Sequence, residues 1–276
     1  MRHSSKRQAA EENGRKQTGK SKSHSQKHAG SSKQLRQLYT LYDEAMDTYN
    51  QSALAKTFED MLRVKNRPRV TRVISLGLGS LLDAKDQQRR IKQLVIFIAI
   101  ASHLTLPSTD ESSLTLYAQD PTFTTTDETF LQSLGIHVLK TPSLSDLGEA
   151  GRMIDEETLI YSPFLTIATY KLLLDSSSHL ATLPMLISDD FNALRLKWDK
   201  RTSERRDVEG LIRETRSENY QRRAVNGEGF WRESDRPFPM ALYWRPPVAS
   251  DRRTTNPATV ERIFKHQEPQ LVPAHA

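Results

Sequence analysis

The chain has 276 residues, of which 36% are hydrophobic and 27% charged, with a formal charge of +6 and no cysteine. Without cysteine, disulfides, thiolate metal sites, iron–sulfur clusters and cysteine nucleophiles are excluded together. The longest wholly apolar run, residues 94–101, falls far short of the roughly 20 residues a membrane-spanning helix needs. No membrane association is expected, and residues 1–33 lack the apolar segment of a secretory signal. The expected location is cytoplasmic, nuclear or both.

The charge is unevenly distributed. Residues 1–37 hold ten basic and two acidic side chains, a net +8, which leaves −2 for residues 38–276. Residues 1–33 are rich in Ser, Gln, Lys and His and bury too little apolar surface to offset their ordering entropy, so a disordered basic tail is expected. Its charge would serve weak electrostatic contact of residues 1–37 with nucleic acid, nuclear import through Lys6-Arg7 and Lys20/Lys22, or solubility alone. His24 and His28 have no third ligand beside them, so no metal site is expected.

Residues 34–67 form a helical lead-in. Leu35, Leu38, Tyr42, Met46 and Tyr49 recur at helical spacing, then Leu54, Phe58, Met61 and Leu62, before Pro68 closes the region. The stripe of Tyr39, Tyr42 and Tyr49 is expected to pack this helix on the core. Residues 68–198 read as the α/β domain. A strand over 70–78 runs into Gly77-Leu78-Gly79-Ser80, and a long helix follows over 86–104. A strand over 114–118 stops at Asp120-Pro121. A short helix over 126–134, capped by Thr125 or Thr126, ends at Gly135. Strands over 136–139, 158–161 and 183–187 follow, with a helix over 166–174 between the last two. Asp190 is placed to cap a short helix over 191–196.

Strands alternating with helices imply right-handed crossovers and a mostly parallel sheet covered on both faces. The expected fold is therefore a three-layer, Rossmann-like α/β architecture with about five strands. Residues 199–225 read as a charged, solvated helix with pairs such as Glu209/Arg213 and Glu218/Arg222. Residues 226–276 read as a Pro- and Arg-rich, largely irregular tail, apart from an apolar patch over 238–244 that suits an edge strand or a strap.

Ligands of open α/β sheets bind outside the carboxyl ends of the strands. Those ends bring together Gly77, Gly79, Ser80, Asp120, Ser162, Asp189 and Asp190 as a possible pocket for a nucleotide or S-adenosylmethionine. Glycines after a first strand admit a close backbone approach, and an acid after the second strand can hold ribose hydroxyls. Against this, the turn is Gly-x-Gly without a third glycine, and Asp83 and Asp86 oppose a bound pyrophosphate. Phosphate-loop, Gly-x-Ser-x-Gly and His-Glu-x-x-His patterns are missing. No catalytic residue is assigned, and no cofactor is required.

The ordered run Ile74-Ser75-Leu76-Gly77-Leu78-Gly79-Ser80, Lys92-Gln93-Leu94 and Gln119-Asp120-Pro121-Thr122-Phe123 resembles the SRR-like domain family. The family is named for a plant protein associated with reduced sensitivity to red light. The likeness continues through Leu131-Gln132-Ser133-Leu134-Gly135, Thr158-Leu159-Ile160-Tyr161-Ser162-Pro163 and Ile187-Ser188-Asp189-Asp190-Phe191. Where the family has Met-Pro-His-Cys after strand 4, this chain has Ser162-Pro163-Phe164-Leu165, and Gly-Asn-Ser-Phe after strand 5 is replaced by Ser188-Asp189-Asp190-Phe191. The resemblance implies an intracellular regulatory protein with an unidentified protein partner, in a family tied to circadian or light signalling, haem-biosynthesis regulation and cytoskeletal phenotypes. It implies no reaction. A nucleotide- or S-adenosylmethionine-dependent enzyme, and a nucleic-acid-associated factor working through the basic tail, are the alternatives.

Overall fold

The structure is a computed structural model that describes residues 22–63, 67–105, 114–141, 146–175, 182–225, 227–235 and 238–246. Seven strands form one sheet in the order β3-β2-β1-β4-β5-β7-β6. They are β1 (Arg72–Leu76), β2 (Thr115–Gln119), β3 (Ile136–Leu139), β4 (Thr158–Ser162), β5 (Met185–Asp189), β6 (Gln221–Val225) and β7 (Met240–Trp244). The first five pair in parallel, and β7 lies antiparallel between β5 and β6. The mostly parallel, three-layer reading is correct, and the expected count of about five strands is corrected to seven.

The pleat sends alternate residues of each strand to opposite faces, so both faces of the sheet carry apolar side chains. Val73, Tyr161, Ile187 and Leu242 pack under helices α1 (Lys22–Asn50), α2 (Ala53–Leu62), α3 (Gln87–Leu104) and α4 (Thr125–Ser133). Ile74, Ile160, Leu186 and Tyr243 pack under α5 (Gly148–Gly151), α6 (Ile167–Asp175), α7 (Phe191–Leu196) and α8 (Ser203–Ser217). Strand order therefore runs outward in both directions from the pair β1 and β4. That pair is the switch point, where the following loops part to opposite faces and leave a crevice.

The aromatic stripe of α1 packs as its spacing demands: Tyr39 and Tyr42 meet the edge of Phe130, and Tyr49 meets Phe230. α1 begins at Lys22, inside the segment expected as a disordered tail, and Ser31 Oγ lies 3.4 Å from Thr126 Oγ1. Once Leu38 and its neighbours anchor the helix, each further turn extends a formed nucleus at little cost. Residues 1–21 of that tail, with Lys6, Arg7 and Lys20 of the import pattern, and residues 247–276 of the expected C-terminal one lie outside the described residues. The cap of α4 is Thr124 rather than Thr125 or Thr126, in a capping box with Asp127.

Two further strands lie at the C-terminal end, of which β6 falls in the segment expected as a charged helix. α8 stops at Ser217, Asn219 adopts a left-handed φ of 59°, and the chain turns into β6. The sequence of β6, Gln-Arg-Arg-Ala-Val, is mostly exposed because it is the sheet edge, so it carries charge instead of a strand-like apolar pattern. Arg222 thus leaves its supposed helical pairing with Glu218; its Nε donates to Asp190 Oδ1 at 2.8 Å. β7 lies in the apolar patch over 238–244 that suited an edge strand or a strap; it is a strand, but an interior one, with Met240 to Tyr243 buried between β5 and β6.

The stretch between β6 and β7 is tied to α3 by a buried ion pair. Lys92 Nζ donates to Phe230 O at 2.8 Å and to Asp235 Oδ2 at 2.5 Å, with side chains only 7% and 5% exposed. Removing one partner strands the other charge in the core. Asp235→Ala is expected to lower unfolding stability by roughly 3–5 kcal/mol, and the double variant Lys92→Met/Asp235→Leu to recover most of it. Denaturant unfolding of the three chains checks this.

Candidate small-molecule site at the carboxyl ends of the strands

β1 ends at Leu76, and the chain leaves the sheet through Gly77 and Gly79, with φ of 75° and 74°. Side chains strain such a backbone, and a neighbouring side chain would have to move to admit one. A Cβ at Gly77 would overlap Leu165, and one at Gly79 would lie 2.6 Å from Arg90 Nε. The loop is then fastened to the next βα unit. Gly79 N–H donates to Asp120 Oδ2 at 2.8 Å, Ser80 N–H to Thr122 Oγ1 at 3.0 Å, and Leu81 N–H to Asp127 Oδ1 at 2.9 Å. Ser80 Oγ donates to Asp127 Oδ2 at 2.8 Å. Asp127 is fully buried and also accepts from Thr124 N–H and Oγ.

The first two turns of α3 supply the next wall. Arg90 donates to Ser80 O at 2.6 Å and pairs with Asp83 at 3.0 Å. Arg89 pairs with Asp86 at 3.1 Å and lies over the ring of Phe164, 5.1 Å from its centroid. The acids expected to repel a ligand are therefore matched by arginines. On the β2–β3 side, Gln119 donates to Leu147 O and accepts from Ala150 N–H, which draws residues 147–150 over the strand ends.

The opposite wall is the turn between β4 and α6. Phe164 adopts a left-handed φ of 69°, an uncommon state for a bulky residue that its surroundings must enforce. Its N–H lies 3.1–3.2 Å from both carboxylate oxygens of Asp189. Tyr170 OH bridges Ser162 O at 2.6 Å and Asp189 Oδ2 at 2.9 Å. Burial pushes the Asp189 carboxyl up to about 6, against the opposing hydrogen bonds from Tyr170 and Phe164 and the nearby charge of Lys197.

Between these walls lies a cavity of about 390 Å³. Gly77, Gly79 and Asp120, three of the residues picked out from the strand ends, line it. The other four do not. Ser80 turns to Asp127, and Ser162 is buried under the turn. Asp189 holds that turn from behind. Asp190 caps α7 by accepting from Asn192 N–H and pairs with Arg222. The lining also includes Arg89, Arg90, Gln93, Thr141, Asp146, Phe164 and Thr169, none of which the strand-end rule selects. Gln93 had a readable signal: it is an amide inside the apolar stretch 91–97 of a buried helix.

Among the described residues, Asp120 keeps one accepting direction open. Its Oδ1 takes Thr122 N–H at 2.8 Å and Thr122 Oγ at 2.6 Å, while Oδ2 takes only Gly79 N–H, so one of about four lone-pair sites is left. Among the described residues no cluster of His, Asp and Glu has the arrangement of a metal site, and no helix is long and apolar enough to cross a membrane.

A family model for the SRR1 domain matches residues 33–256, and the chain belongs to that family. No curated protein matches its sequence. Among solved structures, the chain is similar to an O-methyltransferase from Bacillus cereus in complex with SAH, at 9% identity and TM-score 0.42, covering 76% of this chain and 88% of that one. It is also similar to a ribosomal protein L11 methylase from Lactobacillus delbrueckii subsp. bulgaricus, at 15% identity and TM-score 0.37, covering 70% and 76%. A precorrin-6y C5,15-methyltransferase from Geobacter metallireducens gives 7% identity, TM-score 0.37, and coverage of 69% and 88%.

Two substitutions test the scaffold of the site. Asp127→Ala leaves Leu81 and Thr124 N–H groups without acceptors and should cost roughly 3 kcal/mol in denaturant unfolding. Asp189 holds its proton to higher pH when folded than when unfolded. Its contribution is therefore favourable below the unfolded value of 3.8 and is lost as pH rises through about 6. Between pH 4 and pH 8 the parent should lose up to about 3 kcal/mol relative to Asp189→Asn, since each tenfold change in proton affinity is worth about 1.36 kcal/mol. Unfolding curves of both chains across that range measure the difference.

Proposed function

We propose that this chain is a regulatory member of its family that works by binding a small nucleoside ligand of the S-adenosylmethionine class. The observation that carries the reading is the cavity at the β1/β4 switch point, with the open oxygen of Asp120 on its wall. A ribose hydroxyl fits the remaining acceptor direction, and Leu76, Leu147 and Leu165 offer apolar surface to a base.

Charge argues against polyphosphates. Asp83 and Asp86 neutralise Arg90 and Arg89, and Asp120 and Asp146 add two further negative charges at the lining. Arg90 also covers Gly79, the backbone that a pyrophosphate would approach. A ligand bearing a sulfonium and an ammonium meets the opposite field. The ionisable side chains on the wall are two arginines and two aspartates. They supply charge and hydrogen bonds, which supports recognition more directly than bond breaking.

Thermal unfolding of the full chain tests the reading with S-adenosylmethionine, S-adenosylhomocysteine, ATP and NAD. An S-adenosyl ligand at 100 times its Kd should stabilise the fold by about 2.7 kcal/mol, while ATP gives no shift. Thr169→Trp, which places an indole in the cavity from the surface of α6, should abolish the response without lowering the ligand-free midpoint. A flat response to both S-adenosyl compounds from a cooperatively melting chain refutes it.

A further inference from the structure

Polar groups enclosed in a folded protein nearly always find a partner, so those that do not call for an explanation. Two such atoms and one buried amide lie on the lining of this cavity. Gln93 is 3% exposed and, among the described residues, its amide makes no hydrogen bond. It sits in the cavity wall, where its two donors and its acceptor are free for an occupant. Arg89 Nε and Thr141 Oγ1, on the same lining, are buried without a partner among the described residues. Other groups of the lining are engaged: Arg89 Nη2 by Asp86, Arg90 by Ser80 O and Asp83, and Gln119 by Leu147 and Ala150.

We propose that Arg89 Nε and Gln93 Nε2 form a fork for a carboxylate of the ligand, and so select an S-adenosyl amino acid over the bare nucleoside. The inference rests on the reading of the cavity as a nucleoside site. Arg89 and Gln93 stand one helical turn apart on one face of α3, so their side chains are neighbours. Both present N–H donors, and a planar monoanion that accepts two such bonds in parallel is the group they suit. Arg89 lies over the ring of Phe164, in the turn after β4, whereas Asp120 follows β2 and Asp146 follows β3 on the same lining. A molecule with a carboxylate and separate hydroxyl donors matches that lining.

Asp86 limits the charge that the fork tolerates. It already takes Arg89 Nη2 at 3.1 Å, so a dianionic phosphate at Nε would face an uncompensated acid nearby. A carboxylate belonging to a zwitterion brings its own counter-charge. The ring of Phe164 beneath the guanidinium holds the plane of Arg89 fixed, which keeps Nε directed without help from the ligand.

Isothermal titration of the full chain with S-adenosyl-L-homocysteine and 5′-methylthioadenosine separates the two claims, since the second compound lacks the amino-acid carboxylate. The homocysteine compound should bind about ten-fold tighter or better, the scale of charge-assisted hydrogen bonds. Gln93→Leu should reduce that preference by removing one of the two donors, and Gln93→Glu should reduce it further by placing a like charge in the fork. The ratio of the two affinities within each chain is the readout. Equal affinities in the parent chain, or a preference undiminished in both variants, overturns the fork while leaving the nucleoside site standing. Binding of neither compound overturns the nucleoside reading instead. The fork is then judged from the side-chain amide resonance of Gln93 during titration with L-methionine and L-methioninamide. A shift with the acid alone sustains it, and no shift with either, or equal shifts, overturns it.

Discussion

Three consecutive backbone N–H groups after β1 have no strand or helix to satisfy them, and side chains of the neighbouring βα unit do so instead. Asp120 takes Gly79, Thr122 takes Ser80, and Asp127 takes Leu81. An unsatisfied donor in this position would cost roughly 1–3 kcal/mol, so the loop and the β2–α4 segment are fixed together. Asp127 extends the constraint, because its remaining oxygen closes the capping box of α4 and binds Ser80 Oγ. The glycine turn keeps its left-handed backbone within this frame, and the strand-end crevice keeps a defined floor.

The facing loop obeys a similar rule with a different carboxylate. Phe164 is left-handed without being glycine, and Asp189 reaches its N–H from the end of β5 while Tyr170 locks the pair from the helix side. Leu165 from this turn then closes on Gly77, and the Phe164 ring meets Arg89. The two loops are thus coupled across the cavity by contact. A carboxylate kept in this buried place costs the fold stability at neutral pH. Holding a strained turn against an open cavity gives that cost a role.

Much of this arrangement is legible in the amino-acid sequence. The five parallel strands, their helices and the Asp190 cap follow from apolar periodicity and turn chemistry, and the strand-end rule finds Gly77, Gly79 and Asp120. Ser80, Ser162, Asp189 and Asp190 lie off the lining, because the rule locates a backbone position and not a side-chain direction. Hydrogen bonding turns Ser80 toward Asp127, Asp189 into the Phe164 turn, and Asp190 into the cap and the Arg222 pair, while Ser162 is buried beneath the turn. β6 escapes because an exposed edge carries charge, and its Arg222 also satisfies a helical pairing rule by coincidence of spacing. Gln93 escapes because attention to the apolar positions of α3 passes over the one amide among them.

The account stands on an occupant for the cavity between the two coupled loops, and a crystal structure of the full chain grown with S-adenosyl-L-homocysteine tests this most directly. It predicts ligand density at the β1/β4 switch point, with a ribose hydroxyl on Asp120 and the carboxylate within hydrogen-bond distance of Arg89 and Gln93. Ordered water satisfying Arg89, Gln93 and Thr141 in a cavity that excludes the ligand would contradict it.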